Sequence, residues 1–238
     1  MSMKTQLLTV TQQRLAYLGY YRLVVDGQEG PGTSNAVIEF KRNHGLAPRD
    51  KIGPLTMTAI FSPDAKPAPK PKPQPGEPLW AAEARNLLGT REVRGKGNNP
   101  IIMDWAEELD QWYPGDDVPW CGLFVAHCMS IGAPDEAQEF NRLGARAWRA
   151  FGQEVNPCAW CIGVFWRTHK TKSGNGHVAF IIGEGPDYYV ILGGNQSDNV
   201  TIAKIAKNRL LECRGPSGWS GPELERMTVA GAMSRNEA

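Results

Sequence analysis

Between Pro63 and Pro78 the chain places seven of its 18 prolines, with Lys66, Lys70 and Lys72 interleaved among them. Each proline lacks an amide hydrogen and fixes φ, so this stretch enters neither a helix nor a central strand. It reads as an extended, semi-rigid spacer rising ~3.1 Å per residue. A structureless loop of this length inside one compact domain is rare. The expected organisation is therefore a head (residues 1–62), a linker (63–78) and a body (79–238).

Composition narrows the class. Of the 238 residues, 41% are hydrophobic and 21% charged, as in ordinary folded proteins, and the net charge is +1. That balance excludes the cationic field of a nucleic-acid binder. The head carries net +3, the linker +1 and the body −3, an asymmetry small enough to be surface chemistry. No apolar run approaches the ~20 residues that span a bilayer. Met1 to Gln13 has one Lys and no apolar core of the secretory kind. Five cysteines, one necessarily unpaired, do not make a disulfide scaffold.

The head reads as three short helices. Thr9 to Tyr20 sets Val10, Leu15 and Leu18 at helical spacing, and Gly19 marks its end. Asp26-Gly27 and Gly30-Pro31-Gly32 are turn chemistry. Thr33 or Ser34 caps a second helix with Ala36, Val37 and Phe40 on one face, closing at Gly45. A third follows Gly53-Pro54, with Leu55, Ala59 and Ile60 inward. About 60 residues bury only a small core, which suits a binding module better than a catalyst. The order QQRLAYLGYY, DGQEGPGTSNAVIEFKRNHGL, IGPLTMTAI, from Val10 to Phe61, resembles the small three-helix peptidoglycan-binding domain. The resemblance implies attachment to bacterial cell wall. Lys41 stands where that family usually has Gln, a departure that bears on fine specificity.

In the body, Trp80 to Leu88 and Ile101 to Trp112 read as helices flanking the turn-rich stretch from Arg94 to Pro100. Pro119-Trp120-Cys121-Gly122 then opens an apolar helix that runs from Leu123 to Met129 and ends near Gly132. A proline suits the start of a helix and puts Cys121 in the first turn. There the partial positive charge and free N–H groups of a helix N-terminus stabilise a thiolate or an oxyanion. Cys121, Phe124, Val125 and Cys128 share one face, so the plainer reading of Cys121 is a small buried hydrophobe. Ile162–Trp166, His177–Ile182, Tyr188–Leu192 and Val200–Ala206 are short apolar runs, and Gly183 to Asp187 reads as a hairpin turn. Helices first and strands later predict an α+β body, with helices on one face of an antiparallel sheet.

The chain has four histidines. His44 decorates a helix end in the head. His127 lies six residues beyond Cys121, about 600° around the same helix, and points away from it. His169 sits in a polar, basic loop. His177 opens a strand directly after glycine-rich turn residues, where it meets a helix N-terminus; its plainer reading is a satisfied, half-buried side chain. Asn195 follows Gly193-Gly194 at the end of the next strand, beside His177 on an antiparallel hairpin, where an amide oxygen fixes the imidazole tautomer. Cys121, His177 and Asn195 thus supply nucleophile, base and orienter, with Gln196 and Asp198 as weaker stand-ins for the third. Cys158, Cys161 and Cys213 could offer three thiolates, but no second C-x-x-C or spaced His pair accompanies them. The expectation there is no metal, only incidental thiols or a disulfide formed after release. No phosphate loop is present, and no cofactor is expected.

The segments LGTREVRGKGNNPIIMDW, DDVPWCGLFVAHCM, GHVAFIIG and VILGGNQSDNV, with the terminal SRNEA, resemble phage and prophage cell-wall hydrolases of the CHAP and NlpC-like cysteine amidohydrolase/peptidase superfamily. The resemblance covers about residues 85–206 and the extreme C-terminus. It implies a papain-like α+β body with catalytic Cys121, His177 and Asn195, and, with the head, a modular phage endolysin. The implied reaction is hydrolysis of a stem-peptide amide, or of the N-acetylmuramoyl-L-alanine bond by the same residues. A wall-binding protein with a structural Cys121, and an acyltransferase, are the other readings. Cys158-Ala159-Trp160-Cys161 departs from the family, which more commonly has a Gly-Asp pair there. The resemblance further implies a monomer held in the host cytoplasm. It would engage neither nucleic acid nor membrane, and would reach the periplasmic wall after a holin-type partner opens the membrane.

Overall fold

Ser2 and two prolines set the three helices of the first unit, Met1–Lys70. In the computed structural model, the described residues are 2–21, 25–69, 72–93, 95, 97–168, 170–171, 175–229 and 233–234. Lys70, Arg94, His169 and Arg235 to Ala238 of the terminal SRNEA, all named above, lie outside them. Helix α1 (Met3–Tyr17) starts well before Thr9, because the Ser2 hydroxyl accepts the Thr5 N–H at 3.1 Å and caps it. Helices α2 (Pro31–Asn43) and α3 (Pro54–Ile60) each begin with proline at the first helical position. Gly19 and Gly45, at φ +80° and +67°, end α1 and α2 as expected. In both, the residue after the glycine donates back five residues, from Tyr20 to Leu15 and from Leu46 to Lys41.

Leu15, Val37, Phe40 and Ile60 form the core of this unit. Val10 and Leu55, expected inward, are 43% and 80% exposed; Leu8 and Thr56 take the inward places. Buried Gln12 explains the DGxxGPxT turn. Its Nε2 donates to Asp26 Oδ1 and Thr33 Oγ1, both at 2.9 Å, and its Oε1 accepts the Gly27 N–H at 2.8 Å. Gly27 is at φ +66°, and a Cβ there would stand 2.5 Å from Thr9 Oγ1. Lys41 is buried, with Nζ donating to the carbonyls of Arg49 and Lys51. Its departure from the family's Gln is thus taken up by holding a loop. The first part of the proline-rich stretch is docked on the same unit: Ala68 N–H donates to Leu18 O at 2.7 Å, Tyr20 Oη to Lys66 O at 3.1 Å, and Lys66 N–H to His44 Nε2 at 2.8 Å.

The second unit, Pro71–Ala238, is α+β. Helices α4 (Leu79–Asn86), α5 (Pro100–Glu108) and α6 (Cys121–Gly132) precede a 3-10 helix (Ala145–Ala150) and six strands: β1 (Gln153–Glu154), β2 (Ile162–Trp166), β3 (Gly176–Glu184), β4 (Tyr188–Gly193), β5 (Thr201–Ala206) and β6 (Leu210–Gly215). The sheet order is β1-β6-β2-β3-β4-β5, antiparallel throughout. The α+β expectation and four strands are met; β1 and β6 are additions. Helix α5 stops short of Trp112, which is 79% exposed, as Asp110 turns to φ +49°.

Helix α6 is apolar around its whole circumference and is buried accordingly. It packs with Trp105, Ile102 and Trp80 on one side and Val178, Phe180 and Leu192 of the sheet on the other. Gly132 allows contact with α4, since a Cβ there would lie 2.4 Å from Trp80 N. A second cluster, with Phe165, Ile181, Tyr189, Ile191 and Ile205, covers the rest of the sheet. The C-terminal segment closes over it, with Met227 N–H donating to Glu184 O at 2.9 Å. No helix among the described residues is long and apolar enough to cross a membrane.

Candidate active site

The apolar run that buries α6 also delivers its first residue, Cys121, to the start of β3. Trp120 is the N-cap and Cys121 the first helical residue, so the helix starts two positions later than a helix-opening Pro119 would give. Burial pushes the Cys121 thiol up; the N–H groups of Val178, Gly122 and Cys121 itself, and then the Arg167 charge, pull the other way. The Val178 N–H belongs to the peptide that joins it to His177. Cys121, at the α6 N-terminus, therefore lies beside the start of β3, where His177 stands. Gly122 is required by close approach: a Cβ there would lie 2.1 Å from the carbonyl oxygen of Arg142.

His177 is buried, and its Nε2 lies 3.1 Å from Gln196 Oε1. The Gln196 amide is itself fixed, because its Nε2 donates to Thr201 O at 2.6 Å and to Thr201 Oγ1 at 3.2 Å. Its oxygen must then face the imidazole, so His177 carries its hydrogen on Nε2 and Nδ1 is the basic nitrogen. Gly193 makes room: a Cβ there would stand 3.3 Å from His177 Nε2.

Asn195, expected on the imidazole, is elsewhere. In the amide orientation that satisfies both its ends, its oxygen accepts the Trp120 N–H and its nitrogen donates to Glu92 Oε1, each at 3.2 Å. The amide that lies against the imidazole is that of Gln196, one residue later. The cause is the loop after β4, where Asn195, Ser197 and Asp198 all take positive φ, at 54°, 54° and 62°. Strand alternation no longer governs which side chain faces which way. Asp198 meets Glu92 through its backbone carbonyl, at 3.0 Å from the Glu92 N–H.

Glu92 is a site residue that sequence reasoning missed. Its Oε1 also accepts the Trp120 indole N–H at 2.8 Å, so one carboxylate holds both Trp120 and Asn195 behind the cysteine. Burial raises its pKa, opposed by the Trp120 bond and reinforced by Asp198, Asp116 and Asp117. Asp116 accepts the N–H groups of Val93 and Asn99 at 3.0 and 2.7 Å, shaping the loop that carries Glu92. The signal was present only as spacing too long to interpret, 28 residues from Glu92 to Trp120.

His127 does point away from Cys121. It stacks on Trp105 and lies 3.3 Å from both Glu83 Oε1 and Glu108 Oε2. Cys158, Cys161 and Cys213 gather in the second cluster. Among the described residues, no group of three or more His, Cys, Asp or Glu is placed to hold a metal ion. In the first unit, Lys4, Leu8, Thr11, Glu29, Thr33 and Asp50 help line a groove of about 380 Å³.

Residues 6–60 match the family model of the peptidoglycan binding domain. Over 208 residues the chain is 24% identical to a curated protein of Mycobacterium tuberculosis, N-acetylmuramoyl-L-alanine amidase CwlM. That match covers 85% of this chain and 51% of the relative, so the chain spans about half the relative's length. No solved structure matches.

Proposed function

We propose that this chain binds peptidoglycan through its first unit and hydrolyses an amide bond of the same polymer with Cys121, His177 and Gln196. The observation that carries the reading is the helix-terminal cysteine, whose sulfur lies against the peptide of a histidine held by a buried amide. His177 Nδ1 takes the thiol proton, and the thiolate attacks the carbonyl carbon. N–H groups in the first turn of α6 steady the oxyanion. The imidazolium returns the proton to the leaving amine, and water, deprotonated by His177, frees the acyl group from sulfur. Burial favours the neutral thiol, so the proton must move as the substrate arrives.

The family match at residues 6–60 supports the wall as target, and the relative's name supports the bond between muramic acid and L-alanine. The groove beside α1 and α2 offers lysine, carboxylate and hydroxyl groups over apolar side chains, a lining suited to a sugar–peptide polymer. Host lysis by a phage endolysin is the biological setting we infer. The test is turbidity loss of outer-membrane-permeabilised Gram-negative cells by wild type and Cys121→Ala. We expect clearing by the wild type and none by the variant, with both still sedimenting with sacculi. Equal clearing would remove Cys121 from the reaction. Mass spectrometry of digested sacculi then names the bond: free stem peptides for the amidase, shortened peptides still on muramic acid for a stem-peptide endopeptidase.

A further inference from the structure

The turn that departs from the family, Cys158-Ala159-Trp160-Cys161, is held in a conformation its sequence does not favour. Trp160 sits at φ +68°, a region that bulky residues rarely occupy. It stays there because the turn is fixed on every side. Cys161 N–H donates to Cys158 O at 3.3 Å, Trp160 N–H to Ile181 O at 2.6 Å, Trp80 Nε1 to Trp160 O at 3.0 Å, and Ala159 N–H to Pro222 O at 2.8 Å. A turn closed in this way brings its first and fourth Cα atoms within about 7 Å, the separation a disulfide spans.

The thiols of Cys158 and Cys161 influence one another, as do those of Cys161 and Cys213. Strand register explains the third: Cys213 pairs with Gly163, and Cys161 lies two residues before that glycine, so the two cysteines are diagonal neighbours on one face. Gly163 has no side chain to separate them. All three are among the free cysteines of the protein, and Cys158 is the most exposed of them at 9%.

We propose that Cys158 and Cys161 form a dithiol/disulfide site, oxidised by a disulfide such as glutathione disulfide or an oxidised thiol–disulfide oxidoreductase. Cys158, as thiolate, attacks the oxidant and displaces one thiol, giving a mixed disulfide. Cys161 then attacks the Cys158 sulfur and displaces the second. Two cysteine thiols and one disulfide become one protein disulfide and two released thiols. Cys213 remains reduced beside Cys161. The Cys161 thiol and then burial push Cys158 up, and at Cys161 the lowering by the Cys158 thiol is outweighed by Cys213 and burial, so the exchange is slow and quickens as pH rises. The encounter with an oxidising compartment at the wall rests on the proposed function; the bond does not.

The test is thiol mapping of the full chain, native and folded, after incubation with glutathione disulfide at mildly alkaline pH. It is followed by acid quench, unfolding and alkylation. We expect three of the five cysteines to alkylate, and the peptide containing Cys158 and Cys161 to lack two hydrogens. Cys213→Ser should keep that bond; Cys161→Ser should abolish it and leave Cys128 and Cys213 reduced. The oxidised wild type should melt about 3–6 °C above the reduced form. Five alkylated cysteines, a glutathione adduct that Cys161 never resolves, or a Cys161–Cys213 bond would each overturn the proposal. None of these readouts depends on lysis, so failure of the wall-hydrolase reading would show separately in the turbidity assay.

Discussion

The imidazole of His177 has its Nε2 against the oxygen of Gln196, whereas Asn195, one residue earlier, serves the backbone of Trp120. The two amides should therefore fail differently. Gln196→Ala removes the oxygen that faces His177 Nε2 and with it the bond that favours this tautomer. Wall-clearing rate should fall about 100-fold or more, with sedimentation on sacculi unchanged. Gln196→Glu keeps an acceptor and should recover part of that rate. Asn195→Ala strands the Trp120 N–H and removes one donor to Glu92 Oε1. It should cost about 1–3 kcal/mol of stability, read as a lower urea midpoint, along with activity. If Asn195→Ala lost activity alone and Gln196→Ala were silent, the assignment would be reversed. Residue types and local context let the sequence place Cys121 at a helix start and His177 at a strand start, because both are written locally. The choice between Asn195 and Gln196 was not legible there, because three positive-φ residues decide it. Glu92 was not either, since nothing local ties it to Trp120.

Helix α6 carries a second titratable group, and its charge belongs to the packing of three helices. Burial alone would lower the pKa of His127, but its bonds to Glu108 of α5 and Glu83 of α4 outweigh that and raise it; the bond to His127 in turn lowers Glu108. A histidine with a raised folded pKa contributes stability that is complete below its unfolded value of about 6.5 and lost as pH climbs through the folded value. Thermal melts should therefore show the second unit losing stability as pH rises from mildly acidic to alkaline. His127→Gln should flatten that slope and lower the acidic-side melting point by about 2–6 °C. An unchanged slope in the variant would assign the pH dependence elsewhere. At this scale the α+β order and four of the strands were readable, since each is an apolar run bounded by turn residues. Strand β6 was not: Leu210 to Gly215 has partly buried Glu212 and Arg214 alternating with buried Cys213 and Gly215, and only its place between β1 and β2 gives it a sheet. The early start of α1 was missed for a similar reason, because it depends on a single cap at Ser2 rather than on periodicity.

At the level of the whole chain, the two units have separate hydrophobic cores, and proline content alone did not reveal how the stretch between them is used. Its first residues are bonded to Leu18, Tyr20 and His44 of the first unit, while Glu77 pairs with Arg85 of α4 in the second. The connecting chain is thus shorter than its composition suggests, and each unit keeps part of it as structure. On the proposed function, binding and cutting belong to different units and their coupling is one of local concentration: a tethered enzyme meets wall bonds at an effective concentration set by the connector. Removing residues 1–68 should then leave cleavage of soluble muropeptides within about twofold of wild type, while sacculus clearing at low enzyme concentration falls by about 10²-fold or more. Raising the enzyme concentration should restore clearing by the truncated form, because mass action replaces the tether. Loss of muropeptide cleavage in a truncated protein that still melts cooperatively would instead mean that the first unit takes part in the chemistry, and the division of roles would have to be abandoned.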